Sequence, residues 1–427
     1  MRERARPADP LVVAAIVYSL CTLAFALSAP RELFRAHTQY NHFALLADAW
    51  LHGSLSLTGP PPDYAGGNDF AAHDGRWWIV FPAFPAAILV PFVKLAGGAA
   101  RLRDGQVFLF VAGVAPAALY LALERLRELG RSLLTTPESA VVAGLFGLGT
   151  VYWSTAVQGT VWFAAHVVGA ALAALYLLCS LGAARPLLAG LCLGLGFWTR
   201  TPLLFAAPLF VLEAARAARG EPRAWRGLAR RTALFALPLA AALALAMWHN
   251  QARFGDPLEF GYKYLTVAWQ RRIETWGLFS WHYLPRNLGV LTSSLPFLQP
   301  TPGPSAAALQ ITRHGLALWV TTPLYLALLW PRRRATLDWA LWLTAALVAL
   351  PSLLYQNTGQ IQFGARFSND YAPFLFVALA AGRLGLSRRL LAVGLIGVAV
   401  NLFGAVTFQR PRFQRYYAPT LQIYQPD

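Results

Sequence analysis

The sequence predicts an all-α protein, a bundle of about 11 to 13 helices that cross a membrane as one domain spanning residues 1–427. Of the 427 residues, 57% are hydrophobic and only 13% are charged, a composition outside the range of soluble domains. Apolar runs of the roughly 20 residues that one crossing needs recur along the chain. The mean hydropathy of +0.46 agrees with this class.

Each predicted span is close to the length of one bilayer crossing. The predicted spans are residues 11–29, 78–97, 107–124, 139–154, 162–182, 187–216, 232–249, 314–331, 338–354, 371–384 and 390–408. Thr199, Arg200, Thr201 and Pro202 interrupt the run 187–216, which therefore fits either one kinked span or two short ones. An arginine at that depth must face a polar cavity or a partner, because a lipid-facing charge is costly.

Arginine positions predict the orientation. The net charge is +17, and most arginines flank apolar runs, which indicates topology signals rather than a nucleic-acid surface. The segments predicted to be cytoplasmic are the tail with Arg2, Arg4 and Arg6, the stretch from Arg216 to Arg231, the triplet Arg332, Arg333 and Arg334, and Arg383, Arg388 and Arg389. We therefore predict a multi-pass protein of the bacterial inner membrane with a cytoplasmic N-terminus and a retained first helix.

The same reasoning places three polar loops together on the extracytoplasmic side: residues 30–77, 250–313 and 355–370. The orientation of the spans in the middle of the chain stays undetermined. The basic stretches 101–103 and 125–131 cannot both be cytoplasmic if one span separates them. Cys21, Cys179 and Cys192 lie in apolar runs without metal-ligand spacing, so we expect packing residues and no metal site.

The first extracytoplasmic loop predicts an interfacial helix over residues 41–51, with Gly53 as its stop. His42 lies on its apolar face and is a candidate substrate contact, while Asp48 and His52, four residues apart, share another face. Asp48 is either a solvated residue of this helix or a catalytic carboxylate.

A second candidate carboxylate is Asp69, in the stretch 68–78 that ends with the interfacial pair Trp77 and Trp78. Pro82 and Pro85 follow, so Asp69 is held a short distance from the membrane. It fits either a catalytic carboxylate or a turn cap. Asp74 and Gly75 predict a turn, and His73 beside them is a candidate substrate contact.

The second and third loops carry the candidate cations. Arg253, Glu259, Tyr262 and Lys263 follow a span directly, and this mix of charged and aromatic residues suits a lipid-linked phosphate as well as simple anchoring at the interface. In the third loop, the spacing of Arg366 and Asp370 fits either substrate binding or an intrahelical ion pair. His166, alone early in a span, is interpreted as a structural residue.

Four stretches resemble the GT-C superfamily of integral-membrane glycosyltransferases, especially the branch of protein O-mannosyltransferases and aminoarabinose transferases. They read QYNHFALLADAWLHGSL, GRWWIVFPAFPAAILVPF, AGLCLGLGFWTRTPLLF and QFGARFSNDYAPFLF. The resemblance implies transfer of a sugar from a polyprenyl-phosphate donor to an acceptor on the outer face, with a first-loop carboxylate as base or metal partner. The branch usually opens that loop with an acidic pair, whereas this chain has Gln39, Tyr40, Asn41 and His42, so Asp69 or Asp48 must substitute.

The resulting hypothesis is a hexosyl or pentosyl transferase whose partners are the bilayer, the lipid-linked donor and an envelope glycan, lipid or protein acceptor, with no nucleic acid. Asp69 would act as base, while Arg253, Lys263 and Arg366 would stabilise the departing phosphate. No cofactor is implied with certainty, although a divalent cation remains open. The alternatives are an inert relative that binds the lipid-linked substrate, and a transporter or flippase for it. The transferase hypothesis requires that Asp69, Arg253 and Arg366 converge.

Overall fold

The computed structural model describes residues 9–267, 269–298, 307–329, 336–381 and 385–418. The predicted topology signals at Arg2, Arg4, Arg6, Arg332, Arg333, Arg334 and Arg383 lie outside these residues.

The described chain is mostly helical, which confirms the predicted all-α class. Its α-helices are α1 Pro10–Ser28, α2 His42–Leu51, α3 Phe84–Ala96, α4 Asp104–Ala112, α5 Val114–Glu128, α6 Thr136–Leu148, α7 Tyr152–Ala156, α8 Val161–Ser180, α9 Pro186–Phe197, α10 Ala207–Ala218, α11 Ala224–Phe254, α12 Gln270–Trp276, α13 Leu284–Ser293, α14 Leu318–Thr321, α15 Thr336–Leu354, α16 Ala372–Ala381 and α17 Arg388–Thr407. The short strands are β1 Ala71–His73, β2 Arg76–Trp78, β3 Phe297–Leu298, β4 Leu309–Thr312 and β5 Tyr417–Ala418. Strands β1 and β2 pair antiparallel, and β4 lies between β3 and β5.

Among the described residues, six stretches are long and apolar enough to cross a bilayer, which agrees with a polytopic membrane protein. They are Pro10–Ser28, Asp104–Glu128, Val161–Ala183, Thr201–Ala218, Ala224–Phe254 and Arg388–Thr407. Five further apolar helices are shorter: His42–Leu51, Phe84–Ala96, Pro186–Phe197, Trp339–Leu354 and Ala372–Ala381. The total of about 11 to 13 crossings therefore stays a prediction.

Helix α8 forms the centre of the bundle, since nearly every one of its residues is buried. It packs against α5, α9 and α4, and α9 packs in turn along α11. Gly190 and Gly194 of α9 lie directly against Phe235 and Ala242 of α11, where a larger side chain would clash. Small residues let helix backbones approach closely, which is how membrane helices gain packing energy.

The interrupted run 187–216 forms two helices rather than one kinked span. Helix α9 ends at Phe197, a 3₁₀ helix covers Thr201–Ala206, and α10 follows. Gly190 of α9 and Phe210 of α10 both lie against Phe235 of α11, so the chain reverses between them. Arg200 lies at this reversal.

Contacts between loops show at which end of the bundle each of the basic stretches 101–103 and 125–131 lies. At one end of the bundle, Arg131 forms an ion pair with Glu213 at 2.6 Å, so the basic stretch 125–131 lies beside α10 and its basic C-terminus. At the other end, Thr38 of the first loop donates two hydrogen bonds to Asp104, both 2.7 Å long. The stretch 101–103 therefore lies with the first loop, and the two basic stretches occupy opposite ends.

Two predicted spans were wrong in extent. The span predicted at 314–331 is interrupted, because Gly315 has a φ of +77° and the helical pieces Leu318–Thr321 and Pro323–Leu329 are separated at Thr322. Pro323 lacks the N–H that would continue the first helix. The span predicted at 78–97 begins only at Phe84, because Arg76–Trp78 is the second strand of a hairpin.

Candidate functional site

Asp69 lies at the entrance to the β1–β2 hairpin of the first loop. Asp74 and Gly75 form the two-residue turn of this hairpin, both with positive φ, which confirms the predicted turn. Asp69 also has a positive φ, of +61°, a conformation that aspartate tolerates. Its side chain points to α8 and accepts a hydrogen bond from the Trp162 indole N–H at 2.8 Å. That contact favours a buried functional carboxylate over a turn cap.

Burial dominates the electrostatics of Asp69, which is only 9% exposed. Desolvation raises the pKa of this carboxyl, and the Trp162 hydrogen bond and the positive charge of Arg366 oppose the rise without cancelling it. A carboxylate with a raised pKa is a stronger base than an exposed aspartate. Asp69 is thus suited to accept a proton.

The second loop lies along the hairpin and brings Tyr262 to Asp69. The backbone N–H of Thr266 donates to the Phe70 carbonyl at 3.3 Å, and Leu265 forms a β-bridge with Ala71. Burial raises the pKa of Tyr262, which keeps its phenol neutral, and the charges of Asp69, Arg200 and Arg253 all act on this group. Tyr262 therefore links the first loop to the cations of the second loop and of the 198–200 turn.

Arg366 comes from the third loop, on the 3₁₀ helix Arg366–Asp370. Its guanidinium is buried, with the residue 8% exposed, and lies 4.9 Å from the ring centroid of Phe163. It forms no ion pair with any carboxylate among the described residues, and its Nε has no hydrogen-bond partner there. Desolvation and then the charge of Arg200 lower the pKa of Arg366. The two guanidinium groups lie close together, since both contact the Phe367 ring, at 5.3 Å for Arg200 and 5.7 Å for Arg366 from its centroid. Such a pair is prepared for an anion.

Asp370 does not pair with Arg366, so the intrahelical ion pair, one of the two alternatives that the sequence left open, does not form. Its carboxylate instead accepts from Arg200 Nη2 at 2.7 Å and lies 3.0 Å from His166 Nδ1. Burial opposes the charge on Asp370, but Arg200 and His166 outweigh burial and lower its pKa to about 2. A 3₁₀ helix has three residues per turn, so a side chain four positions on points elsewhere.

Arg200 and His166 contact Asp370, but the sequence analysis did not include them among the candidate site residues. Arg200 was expected to face a cavity or a partner, and Asp370 is that partner. His166 was interpreted as structural, and it is fully buried against Asp370. The signal in the sequence was that a charged residue and a histidine both lie at the depth of a membrane span. Sequence spacing does not reveal that the segments carrying them pack together.

The remaining second-loop candidates lie around Tyr262. Arg253 is buried and donates to the Ile79 carbonyl at 3.0 Å and to Asn250 Oδ1 at 2.8 Å. Lys263 and Glu259 form an ion pair with each other at 2.6 Å, and the Lys263 side chain is 57% exposed. The charges of Lys263 and Glu259 therefore neutralise each other near the protein surface, whereas the Arg253 side chain is buried.

The first-loop candidates divide between the site and its surroundings. His42 begins α2 and is completely buried; its ring stacks on Phe70 at 4.2 Å and its Nε2 lies 3.0 Å from the Asn68 carbonyl. Burial lowers its pKa to about 4, so it is neutral and supports the turn that carries Asp69. His73 stacks on Tyr264 at 4.1 Å.

Asp48 lies apart from Asp69 and Arg366. Helix α2 forms as predicted and ends before Gly53, and it packs against α3. Asp48 accepts a hydrogen bond from the Ala99 N–H at 3.3 Å and is 3.7 Å from His52. These contacts tie it to the α3–α4 connection, and no contact among the described residues joins it to Asp69 or Arg366.

The described residues contain no group of three or more histidine, cysteine, aspartate or glutamate side chains placed to hold a metal. The Asp370 carboxylate contacts Arg200 and His166. The divalent cation that the sequence left open stays a hypothesis.

No protein-family model matches the chain, and no curated protein matches it. Two solved structures are similar. ArnT from Cupriavidus metallidurans, bound to undecaprenyl phosphate, is 14% identical with a TM-score of 0.49, and the match covers 90% of this chain and 62% of ArnT. The Archaeoglobus fulgidus oligosaccharyltransferase in the apo form is 11% identical with a TM-score of 0.43, and the match covers 94% of this chain and 56% of that one.

The chain thus spans roughly three-fifths of the length of either structure.

Proposed function

We propose that this protein is a glycosyltransferase of the bacterial inner membrane, which moves a sugar from a polyprenyl-phosphate donor to an envelope acceptor on the extracytoplasmic face. One observation carries the proposal: the buried Asp69 carboxylate accepts a hydrogen bond from Trp162 at 2.8 Å, and the buried Arg366 guanidinium lies 4.9 Å from the ring centroid of the next residue, Phe163. Arg366 forms no ion pair with a carboxylate of the described residues. Asp69 and Arg366 come from loops about 300 residues apart in sequence. A base beside an anion site is what sugar transfer from a phosphate needs.

Asp69 would act on the acceptor. The acceptor hydroxyl gives its proton to the Asp69 carboxylate as its oxygen bonds to the anomeric carbon of the donor sugar. The bond between that carbon and the phosphate oxygen breaks, and its electron pair leaves with the polyprenyl phosphate. Burial supports this role, because it raises the pKa of Asp69 and so makes its ionised form a better proton acceptor.

Arg366 and Arg200 would hold the leaving phosphate. Negative charge grows on the phosphate oxygens as the sugar departs, and fixed guanidinium groups stabilise that charge without reorganising. Arg200 uses Nε and Nη2 on Asp370, and Arg366 donates no guanidinium hydrogen bond to any described residue. A phosphate between them would relieve their mutual repulsion.

The second-loop residues would complete the binding of the donor. Tyr262 offers a neutral phenol beside Asp69 and Arg200, which suits a sugar hydroxyl. Arg253 adds a buried positive charge behind Tyr262. Lys263 would contribute only after its ion pair with Glu259 opens.

The test compares two carboxylates of the first loop. Purified protein in lipid nanodiscs is given radiolabelled polyprenyl-phosphate sugars and an envelope extract, and the released polyprenyl phosphate is measured. We expect Asp69→Asn to lose about 100-fold or more of the transfer rate, as loss of a general base does, and Asp48→Asn to retain it. Transfer unchanged by Asp69→Asn would reject the assigned base. Donor binding without transfer by the wild type would favour an inert relative, which the missing acidic pair at residues 39–42 makes a specific alternative.

A further inference from the structure

Helix α13, in the second loop, carries an exposed apolar stripe. Pro285, Leu288 and Thr292 are exposed and follow the spacing of one helix face. Trp281 before the helix and Leu295 after it continue the same line, with exposures of 68% and 47%. The Thr292 hydroxyl donates to the Leu288 carbonyl at 2.8 Å, so it needs no water.

The opposite face of α13 is buried and carries Val290 together with the polar Asn287. Asn287 is 6% exposed and donates to the carbonyls of Leu353 and Tyr355 at 2.9 and 2.8 Å. The half-buried Arg286 donates to the Gln356 carbonyl at 2.8 Å. A helix on a water-soluble surface exposes its polar residues, whereas α13 exposes an apolar stripe and turns Asn287 inward. The stripe therefore fits apolar surroundings.

The position of α13 relative to α15 indicates which apolar medium that is. Helix α15 exposes Trp339, Leu343 and Leu350 along one side, as a lipid-facing span does. Helix α13 packs against the C-terminal end of α15, and the Ser280 N–H donates to the Leu354 carbonyl at 2.8 Å. Trp319, also half exposed, donates to the Thr292 carbonyl at 2.9 Å and adds a second indole at this level. Tryptophans collect where the hydrocarbon core meets the headgroups.

We propose that α13 lies in the outer lipid–water interface, with the stripe formed by Trp281, Pro285, Leu288, Thr292 and Leu295 inserted among the lipids. The partner is the bilayer itself. The polar face of α13 holds the Leu353–Gln356 turn, and Tyr355 in that turn acts electrostatically on Asp69 and Arg366. The membrane surface thereby supports one side of the candidate site, and this placement of α13 does not depend on the proposed sugar transfer.

Spin-label accessibility in nanodiscs tests the placement. Leu288→Cys and Leu295→Cys are labelled one at a time in a background in which Cys21, Cys179 and Cys192 are replaced by alanine and which still elutes as a monodisperse peak. Ser293→Cys is the matched control, because Ser293 is exposed on the same helix but outside the stripe. We expect the ratio of oxygen accessibility to nickel-chelate accessibility to be severalfold higher at 288 and 295 than at 293, because oxygen partitions into lipid.

Two results would overturn the proposal. Nickel-chelate accessibility at 288 and 295 equal to that at 293 would place the stripe in water. Protection of both stripe positions from both reagents would show that protein covers the stripe, either another segment or a second copy of the chain.

Discussion

Asp370 receives the guanidinium of Arg200, which is 170 residues away in the chain, rather than that of Arg366, which is four residues away. Arg366 is therefore buried without an ion pair to any carboxylate of the described residues. The two arginines differ in this respect. Asp370 holds Arg200 in place, whereas the Arg366 guanidinium is available for an anion.

The first prediction separates function from stability at Arg366. Replacing it with methionine removes a buried charge that has no ion-pair partner, so we expect the thermal unfolding temperature to stay the same or to rise. Polyprenyl phosphate binding should weaken about 10-fold to 100-fold, because hydrogen bonds to charged groups contribute about 1.5–3 kcal/mol. Thermal unfolding and native mass spectrometry of the lipid complex measure the two quantities. The control is Arg271→Met, since Arg271 is exposed and should matter for neither. Parallel losses of stability and binding would mean that Arg366 has a structural role.

The second prediction concerns the Arg200–Asp370–His166 cluster. Replacing Asp370 with asparagine leaves the Arg200 charge unpaired beside Arg366, and breaking a buried ion pair costs about 3–5 kcal/mol. We expect a clear fall in the unfolding temperature, measured in detergent or nanodiscs at pH 7. Asp63→Asn is the control, because Asp63 is exposed in the first loop. An unfolding temperature equal to wild type would show that Asp370 contributes no net stability.

The third prediction follows from the pKa of Asp370, which Arg200 and His166 lower to about 2 against the cost of burial. A lowered carboxyl pKa contributes stability above the unfolded value of 3.8 that disappears as the pH falls towards 2. The unfolding temperature of the wild type should therefore fall below about pH 4 more steeply than that of Asp370→Asn. Parallel curves for the two proteins would assign the acid sensitivity to other groups.

The fourth prediction concerns the pH dependence of transfer. Burial raises the pKa of Asp69, and the base must be ionised, so activity should fall on the acid side at a higher pH than for an exposed aspartate. Trp162→Phe removes the N–H that stabilises the ionised form, so it should move this acid limb upward by about one pH unit or more. Rates measured between pH 4 and pH 8 with saturating donor test the shift.

The control for this measurement is donor binding, which should not share the acid limb, because Asp69 acts on the acceptor. A Trp162→Phe profile that lies on the wild-type profile at a uniformly lower rate would indicate a packing role for Trp162 instead.

Local sequence patterns correctly predicted several structural features. The helix α2 with its end before Gly53, the turn at Asp74 and Gly75, and the break after Phe197 all depend on neighbours within a few residues. Predictions were wrong where contacts beyond the local sequence determined the structure. The span predicted at 314–331 counted apolar residues, but the interruption at Gly315 and Thr322 made two short helical pieces.

Apolar run length alone determined the membrane class, because the cost of exposing polar backbone and charge to lipid applies to every residue in a span. Charge placement predicted the three polar loops and their shared side. Which charged groups would meet was decided only by the tertiary structure. The helices α8 and α9 bring His166 and Arg200 to Asp370, and this contact releases Arg366 to face Asp69. Ion pairing depends on distances of a few ångströms between side chains from different helices, and sequence separation carries no information about those distances.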